Sequence, residues 1–500
     1  MKRILVLFLG ILSCLSGCTM APKYNRPGGL VVPEHWPKGA AYPQVSLATK
    51  VTDALQLRWQ DFFTDLKLQR IIQTALENNR DLRLVALNME KTRALYGVQQ
   101  AELLPVLDAN GGLAKQRYSS DFIAAGNPKV IEQYSADLGI TAWEIDFFGR
   151  VRSLTKQALE EYLSTQEARR SAQIALISGV ARAYLAIATD ESDLHLARFT
   201  LKAQEGAYNL VLRRYRVKLA NEIDLQRAQT QVDTARGDVI LYTQRLAQDK
   251  NALDLLAGSP IPEDLLPVDL ESVIPFKDIF PGLSSDVLLK RPDIMAAEHQ
   301  LKGAYANIGA ARAAFFPNIS LTTAIGSASS AFTGLFSSGK ATWVYSPQVV
   351  MPIFDMQTWA AYRVSEAERK IALTKYEKTI QTAFKEVADV LAVQGTVDEQ
   401  IAVQQSMVDS AQKIYQLTSK RYVNGIDSYL SVLDAQRSLY RAQKELILMQ
   451  FYKFVNEVKT YAVLGGGALD EASGPRQVSR DSFEEKVLSL LGLKFQKPER

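Results

Sequence analysis

One cysteine near the amino terminus stands in a setting that predicts covalent modification. Cys18 closes the tetrapeptide Leu-Ser-Gly-Cys at positions 15–18. An apolar run over positions 4–12 lies ahead of it and follows Lys2 and Arg3. This run is far shorter than the roughly 20 apolar residues that cross a bilayer, so it predicts a cleaved signal peptide rather than an anchor.

The tetrapeptide matches the lipobox of bacterial lipoproteins, in which the cysteine thiol takes a diacylglyceryl group and becomes the mature amino terminus. We therefore predict a lipoprotein signal peptide over residues 1–17 and a lipidated, extended segment over residues 18–60. Several acyl chains anchor a protein firmly, whereas a single chain attaches it marginally. Thr19 stands where an Asp would favour retention in the inner membrane, which points to the outer membrane. The alternative is an unmodified cysteine that is lost on cleavage.

No other residue pattern predicts covalent or catalytic chemistry. His35, His195 and His299 are too scattered for a helical metal pair, and the sequence has no HExxH, Walker-type or GxSxG motif. Cys14 lies in the signal peptide, so the mature chain cannot form an internal disulfide. We predict that the protein is not an enzyme and that it has no metal or cofactor, apart from covalent lipid on Cys18.

The composition indicates a folded chain without a nucleic-acid partner. Of the 500 residues, 47% are hydrophobic and 22% are charged, and the formal net charge of +4 is too small to predict nucleic-acid binding. After the signal peptide no uncharged apolar run is long enough to span a bilayer, and even residues 174–189 are interrupted by Arg182. We therefore expect no transmembrane helix.

The chain contains an internal tandem repeat. The sequence around Asp81 matches that around Asp293, and the sequence before Pro105 matches that before Pro317, both at an offset of 212 residues. Farther on, two matched dipeptides share an offset of 207 residues: Arg-Tyr at 214–215 and 421–422, and Ala-Gln at 228–229 and 435–436. A period of this length excludes a short solenoid repeat.

This repetition predicts how the chain is organised. We expect a first structural repeat over residues 61–258, a Pro-rich linker over 259–283, a second repeat over 284–467 and a polar C-terminal tail over 468–500. Asp81 and Asp293 follow helix-rich stretches at equivalent positions. We interpret both as structural residues that cap helices or bond turns.

Each repeat contains two alternating segments that predict a β-hairpin. Apolar and polar residues alternate over 107–113 and 134–142, and again over 319–325 and 343–351, as in a sheet with unlike faces. Strands of this length can cross a bilayer, and aromatic ends such as Trp143 suit its interfaces. Four strands cannot close a barrel, and lipid does not tolerate open edges, so subunits must share one barrel. Eight strands from a dimer or twelve from a trimer satisfy this rule; a soluble sandwich is the alternative.

A long helical hairpin is predicted after each β-hairpin. Residues 150–217 and 357–423 contain no Pro and few Gly, and about 65 helical residues would reach about 100 Å. Each long helix turns, over 218–221 and 424–427, into a second helix with apolar residues at heptad spacing. Asp249 breaks that spacing in the first repeat. The alternative is an ordinary bundle or extended coiled coil.

Four segments carry a resemblance to a known family: LLKRPDIMAAEHQLKGAYANIGAARAAFFPNISL at 288–321, APKYNRP at 21–27, WEIDFFGR at 143–150 and NGIDSYL at 424–430. They resemble the outer-membrane efflux proteins of the TolC type, in the lipoprotein branch that includes OprM and AdeK. The resemblance extends from Cys18 to about Gly467.

The resemblance implies a mixed fold of α-helix and transmembrane β-strand. It implies a homotrimer with a 12-stranded outer-membrane β-barrel, to which each protomer gives four strands, continuous with a long 12-helix periplasmic α-barrel. The implied partners are a periplasmic adaptor (membrane fusion) protein, an inner-membrane pump of the resistance-nodulation-division type and outer-membrane lipid, with no nucleic acid.

The resemblance also places a periplasmic constriction at the turn 424–427. Around a threefold axis Asp427 would form a carboxylate ring that narrows the tunnel and favours cations. The alternative is that Asp427 caps the helix that begins near Ser428. One departure from the family pattern is Lys218, which stands where the second turn has Gly425, the residue type that most readily adopts a positive φ.

Three functions fit this sequence. The first is a passive exit duct for drugs and other small toxic compounds, energised by an inner-membrane pump. The second is the same fold serving protein secretion or metal-ion export, and 8 Met with 3 His in the chain disfavour metal export. The third is a non-conducting periplasmic scaffold, which the amphipathic hairpins argue against.

Overall fold

The computed structural model of the protein describes residues 19–26, 32–42, 57–124, 126, 128–277, 279 and 285–467. The predicted signal peptide, the predicted lipidation site Cys18 and the predicted C-terminal tail lie outside these residues.

Each half of the chain has a helix, then a β-hairpin, then a long helical hairpin, with extra short helices at the start of the first half and a broken long helix in the second. The first half consists of α1 (Trp59–Phe62), α2 (Leu66–Asn78), α3 (Arg80–Ala101), β1 (Leu107–Arg117), β2 (Val130–Glu144), α4 (Arg150–Arg216) and α5 (Glu222–Ala257). The second half consists of α6 (Pro292–Ala313), β3 (Asn318–Ser329), β4 (Ala341–Val350), α7 (Met356–Gln394), α8 (Val397–Val423) and α9 (Tyr429–Val463). Helix α1 begins at Trp59, just before residue 60, where the extended segment is predicted to end.

The four strands form one antiparallel sheet in the order β1-β2-β3-β4. Each predicted hairpin is confirmed, because β1 pairs with β2 and β3 pairs with β4. The β2–β3 pairing joins the two halves of the chain. The edge strands β1 and β4 are exposed along their whole length. The protomer therefore presents two strand edges whose backbone groups point away from its own sheet.

The two halves approach closely at the centre of the sheet. A Cβ atom on Gly139 would lie 2.7 Å from the Ala324 Cβ atom, so only glycine fits between these backbones. The register then shifts between Ile140 and Trp143, where Ala142 adopts a φ of 50°. Such a bulge bends a strand and increases its twist. It lies in β2 close to the start of α4.

The main core lies around the middle of α4. Tyr184 and Leu185 of α4 are buried there, and so are Phe62 of α1 and Tyr461 of α9, whose rings stack 4.6 Å apart. Phe276 from the Pro-rich linker packs against Phe62 as well. The linker is therefore part of the core rather than a solvent-exposed tether.

The second long helix is broken, so the prediction of continuous helix over 357–423 is wrong. Helix α4 runs without interruption, whereas its counterpart divides into α7 and α8 at Gly395 and Thr396. Glycine and β-branched threonine are both poor helix formers. The Thr396 Oγ1 atom also bonds back to the Ala392 carbonyl, at 3.1 Å, which competes with the helical pattern.

By length and composition alone, helix α4 is long and apolar enough to cross a membrane, although the sequence predicts no transmembrane helix. The apolar 18-residue stretch responsible is 56% buried inside the protomer. This burial is typical of a helix at the centre of a folded domain.

The two aspartates at equivalent repeat positions have different structural roles. Asp293, in the first turn of α6, accepts hydrogen bonds from Arg291 and from the Ile294 backbone N–H at 2.9 Å. In the first half Asn79 is the N-cap of α3, and its side chain accepts a bond from Leu82. Asp81 is therefore not the cap of α3.

Candidate functional site

The described residues nearest to Cys18 form an extended strap, residues 19–26, that lies along α6. A Cβ atom on Gly309 would lie 2.7 Å from the Ala21 Cβ atom, so glycine makes room for the strap. Farther along, the Tyr24 hydroxyl donates to Glu298 Oε1 at 3.1 Å, and Arg26 forms an ion pair with the same carboxylate. The strap thus runs antiparallel to α6, and its amino-terminal end points towards β3.

The carboxylate of Glu298 holds the strap electrostatically. Burial opposes its ionisation, yet hydrogen bonds from Arg26 and Lys302 keep the pKa of Glu298 below its ordinary value. Burial and the Glu298 charge raise the pKa of Tyr24, so its hydroxyl remains a donor. The Tyr24 ring also meets the Tyr305 ring edge-on at 5.5 Å.

Both long helices end in turns of the same geometry. In the first turn the Lys218 and Leu219 N–H groups bond to the Tyr215 and Arg214 carbonyls, and Lys218 has a φ of 62°. In the second turn the N–H groups of residues 425 and 426 bond to the carbonyls of residues 422 and 421, and Gly425 has a φ of 76°. These bonds define a Schellman motif. Lys218 therefore adopts the left-handed conformation itself.

Asp427 closes the second turn as half of an ion pair. Its two carboxylate oxygens accept from the Arg421 guanidinium at 2.7 and 3.0 Å. This pairing holds the pKa of Asp427 below its ordinary value. The N-cap of α9 is Ser428, without a side-chain cap bond, so the alternative prediction that Asp427 caps α9 is wrong.

The first turn has no equivalent pair and reaches across to the second. Ala220 stands at the position of Asp427, so Arg214 lacks the carboxylate that Arg421 has. Its guanidinium instead lies 4.7 Å from the centre of the Tyr422 ring and donates to the Tyr422 carbonyl at 3.1 Å. This contact joins the tips of the two helical hairpins.

Polar contacts also join α5 and α9 a few helical turns away from the tips. Arg437 donates to Gln231 Oε1 at 3.2 Å, and the Tyr440 hydroxyl donates to Asp238 Oδ2 at 2.9 Å. Extensive packing joins α4 to α5 and α8 to α9. Each helical hairpin is therefore packed internally, and hydrogen bonds tie one hairpin to the other.

A cluster of carboxyl groups lies between α4 and α5 at the heptad break. Burial and the nearby Asp249 raise the pKa of Asp190 to about 7. Burial also raises the pKa of Asp193 to about 6, against the attraction of Lys444 and Arg245. This cluster therefore binds protons near neutral pH.

The three histidines do not form a metal centre. His299 Nδ1 lies 2.7 Å from Glu160 Oε2, a hydrogen-bond contact between α6 and α4. In the part of the chain that the structure describes, no group of three His, Cys, Asp or Glu residues could hold a metal ion. The sequence prediction did not include Arg421, Arg214 or Tyr422 as site residues, although the matched Arg-Tyr pairs of the repeat marked their positions.

Comparison with known proteins places this geometry in a family. The model for the outer membrane efflux protein family matches residues 71–259 and 283–466, and the chain belongs to that family. The matched segments fall on the two repeats. The predicted resemblance to TolC-type proteins is thereby confirmed.

Named relatives cover nearly the whole chain. The toluene efflux pump outer membrane protein TtgC of Pseudomonas putida is 45% identical over 93% of this chain and 95% of its own length. The probable outer membrane lipoprotein SilC of Salmonella typhimurium is 36% identical over 93% and 99%. The protein is an outer-membrane channel of an efflux system and not an enzyme, as predicted.

Solved structures share the fold. A membrane protein from Pseudomonas aeruginosa superposes with a TM-score of 0.83 at 37% identity, covering 90% of this chain and 98% of that one. The open state of the Neisseria gonorrhoeae MtrE outer membrane channel gives 0.79 at 36% identity, covering 90% and 99%. Both are similar to this protomer in its helices and its sheet.

Proposed function

We propose that three copies of this chain form one continuous exit duct through the outer membrane and the periplasm. Three protomers would supply twelve strands, four from each sheet, and twelve helical columns from α4, α5, α7 with α8, and α9. The edge of β1 would pair with the edge of β4 of the next protomer, so that every backbone group in the membrane has a partner.

The observation that carries this proposal is the missing neighbour of α3. Among the described residues, helix α6 packs between α4 and α7, whereas α3 packs extensively against α4 only. Apolar side chains on α3 are exposed, among them Leu84, Leu87, Leu95 and Val98. By the internal repeat, α7 of an adjacent copy would cover this stripe as α4 covers α6.

Cysteine pairs test this arrangement directly. Within the protomer Gln300 of α6 donates to Ser164 of α4 at 3.3 Å, and the repeat offsets map this pair onto Asn88 and Ile371. Asn88→Cys with Ile371→Cys should give disulfide-linked subunits on non-reducing gels. Asn88→Cys with Ile240→Cys, an exposed position on α5, is the control and should remain monomeric. Absence of cross-links in a folded first pair would contradict the assembly.

We propose further that the Cys18 thiol carries the lipid that ties the strap to the outer membrane. The strap supports this, because its contact at Gly309 holds residue 21 near the β3 end of α6. Cys18→Ser should abolish labelling by radioactive palmitate and leave the precursor incompletely processed. Labelling that persists in Cys18→Ser would disprove the assignment.

The duct would export drugs and other small toxic compounds delivered by an inner-membrane pump of the resistance-nodulation-division type through a periplasmic adaptor. The names of relatives such as the toluene efflux protein support this substrate class. Deletion of the chain should make its host more susceptible to toluene and to antibiotics. Equal susceptibility of the deleted and complemented strains, with pump and adaptor present, would favour the alternatives of protein secretion or metal-ion export.

A further inference from the structure

A half-open cleft of about 300 Å³ lies beside the last described residues of the chain. Helix α4, the start of α6, α7 and the end of α9 line it, and Gly465 forms part of its wall. Ile174 and Val455 give it an apolar floor, and the exposed cations Arg182 and Lys459 stand at its rim. Asp293 and Glu386 also line the cleft, but both pair with Arg291, so the two exposed cations favour a ligand that is apolar at its centre and acidic at its edges.

One side chain in the cleft indicates that a partner is missing. Ser178 is only 6% exposed and lines the cleft, yet its hydroxyl has no hydrogen-bond partner in the described structure. A buried hydroxyl without a partner costs free energy, so native proteins almost always supply one. Ser178 therefore adds a polar group without a hydrogen bond to the wall of the cleft.

The internal repeat shows where a covering segment would come from. In the second half Arg291 donates to the Val463 carbonyl at 2.6 Å, beside the cleft. In the first half Asn79, at the equivalent position, donates to the Leu256 carbonyl at 2.9 Å. The ends of α5 and α9 are therefore held in the same way by the helices that begin next to them.

The backbone also leaves α5 and α9 in the same conformation. Gly258 has a φ of 72° and Gly465 a φ of 71°. The Pro-rich linker that follows Gly258 returns to the protein surface and buries Leu270, Val273 and Phe276 in the main core. The segment that follows Gly465 is the tail, residues 468–500.

The tail has the composition that the cleft requires. Phe483 and Val487 are apolar, and three acidic residues lie next to Phe483: Asp481, Glu484 and Glu485. The chain from Gly467 to Phe483 can extend up to about 50 Å, which is ample for a return to the cleft. We propose that residues 481–491 of the tail dock in this cleft of their own protomer, with Phe483 on the apolar floor and the carboxylates against Arg182 and Lys459.

Disulfide trapping in the full-length, lipidated protein tests this docking. Ala175 is exposed and lines the cleft, so Ala175→Cys with Ser482→Cys should form a disulfide within one chain under mild oxidation. Ser410→Cys on α8 with Ser482→Cys is the matched control, and it should cross-link far more slowly. Equal rates for the two pairs would overturn the proposal. So would a disulfide between chains, which would assign the cleft to a neighbour's tail.

Hydrogen exchange gives an independent readout that does not disturb the folded body. Backbone amides of residues 481–491 should exchange more slowly than those of residues 470–478 in the same tail. Phe483→Asp with Val487→Asp should bring both segments to the same rate and leave α4 protection unchanged. Equal exchange in the unmodified protein would show that the tail does not dock.

Discussion

Helices α3 and α6 are the same length and lie at the same place in their repeats, yet they differ in burial. Helix α6 is buried along its length, whereas none of the residues of α3 is buried. In the part of the chain that the structure describes, α6 has helices packed on both sides, whereas α3 has α4 on one side, and this accounts for the difference. The repeat therefore indicates which surface of the protomer the proposed trimer would cover with a second copy of the chain.

The largest effect should come from disrupting the exposed stripe of α3. Leu87→Glu places a charge where the repeat predicts burial against an adjacent α7, and a buried unpaired charge is strongly unfavourable. We expect loss of the trimer on native gels in mild detergent. Arg93→Glu, a charge change on the same helix outside the apolar stripe, should assemble normally. A trimeric Leu87→Glu variant would show that α3 faces solvent or lipid.

The second comparison concerns the two turns, because the second has the Arg421–Asp427 pair and the first has Ala220. Asp427→Ala removes the carboxylate and leaves the Arg421 guanidinium unpaired at the proposed constriction. Single-channel recordings should show higher conductance and a weaker preference for cations. Asp409→Ala, an exposed carboxylate on α8, is the control. Unchanged conductance and selectivity in a folded trimer would place the constriction elsewhere.

A smaller effect concerns pH and the carboxyl cluster of the first half. The repeat offset maps Asp190 and Asp249 onto Val397 and Asn456, so the second half has no such pair. Because the pKa of Asp190 is raised, the folded state binds more protons than the unfolded chain between about pH 4 and 7. Stability from this group is therefore greatest in acid and falls as the pH rises to about 7.

Asp249→Asn places in the first half the residue type that Asn456 has at the equivalent position of the second half, and it tests whether the carboxyl pair causes the pH dependence. Removing one of two neighbouring carboxyl groups should lower the pKa of Asp190. The thermal midpoint should then fall less between about pH 5 and about pH 8, two conditions that bracket the shifted pKa. Asp233→Asn, on the exposed side of the same helix, should leave the drop unchanged. An undiminished drop in Asp249→Asn would assign the pH dependence to other groups.

The smallest effect should come from exchanging the two left-handed residues. Lys218→Gly removes the clash of a left-handed side chain, about 1 kcal/mol, partly offset by the greater freedom of glycine in the unfolded chain. Gly425→Lys should destabilise by about 1 to 2 kcal/mol for the same reason. Thermal midpoints measured by circular dichroism compare the two variants. Equal midpoints would show that the flanking residues relax the strain.

Local patterns predicted most of the fold. Alternation located all four strands, and the absence of Pro located the long helices, because both signals depend on near neighbours in the chain. The break at Gly395 was missed because a single Gly-Thr pair weakly opposes a strong helical pattern. The sequence left the shape of the first turn open at Lys218, and there the backbone bonds of the Schellman motif outweigh the cost of a positive φ.

The site depended on contacts that sequence alone does not specify. Asp427 bonds to Arg421 rather than capping α9, and only the geometry of the turn decides between these two roles, whereas the constriction at Asp427 stays a prediction. The contact of Arg214 with Tyr422 crosses between the repeats. The raised pKa of Asp190 depends on burial between α4 and α5, which heptad spacing indicated only through the break at Asp249.

The strap along α6 has a consequence for the order of biogenesis. Tyr24 and Glu298 are 274 residues apart in sequence, so the amino-terminal segment cannot be clamped until α6 has been synthesised and folded. Until then the strap has no contact with α6, so under the proposed lipidation of Cys18 it would still be accessible to the enzymes that modify it. The bonds of Tyr24 and Arg26 to Glu298 can therefore form only after α6 of the second repeat is in place.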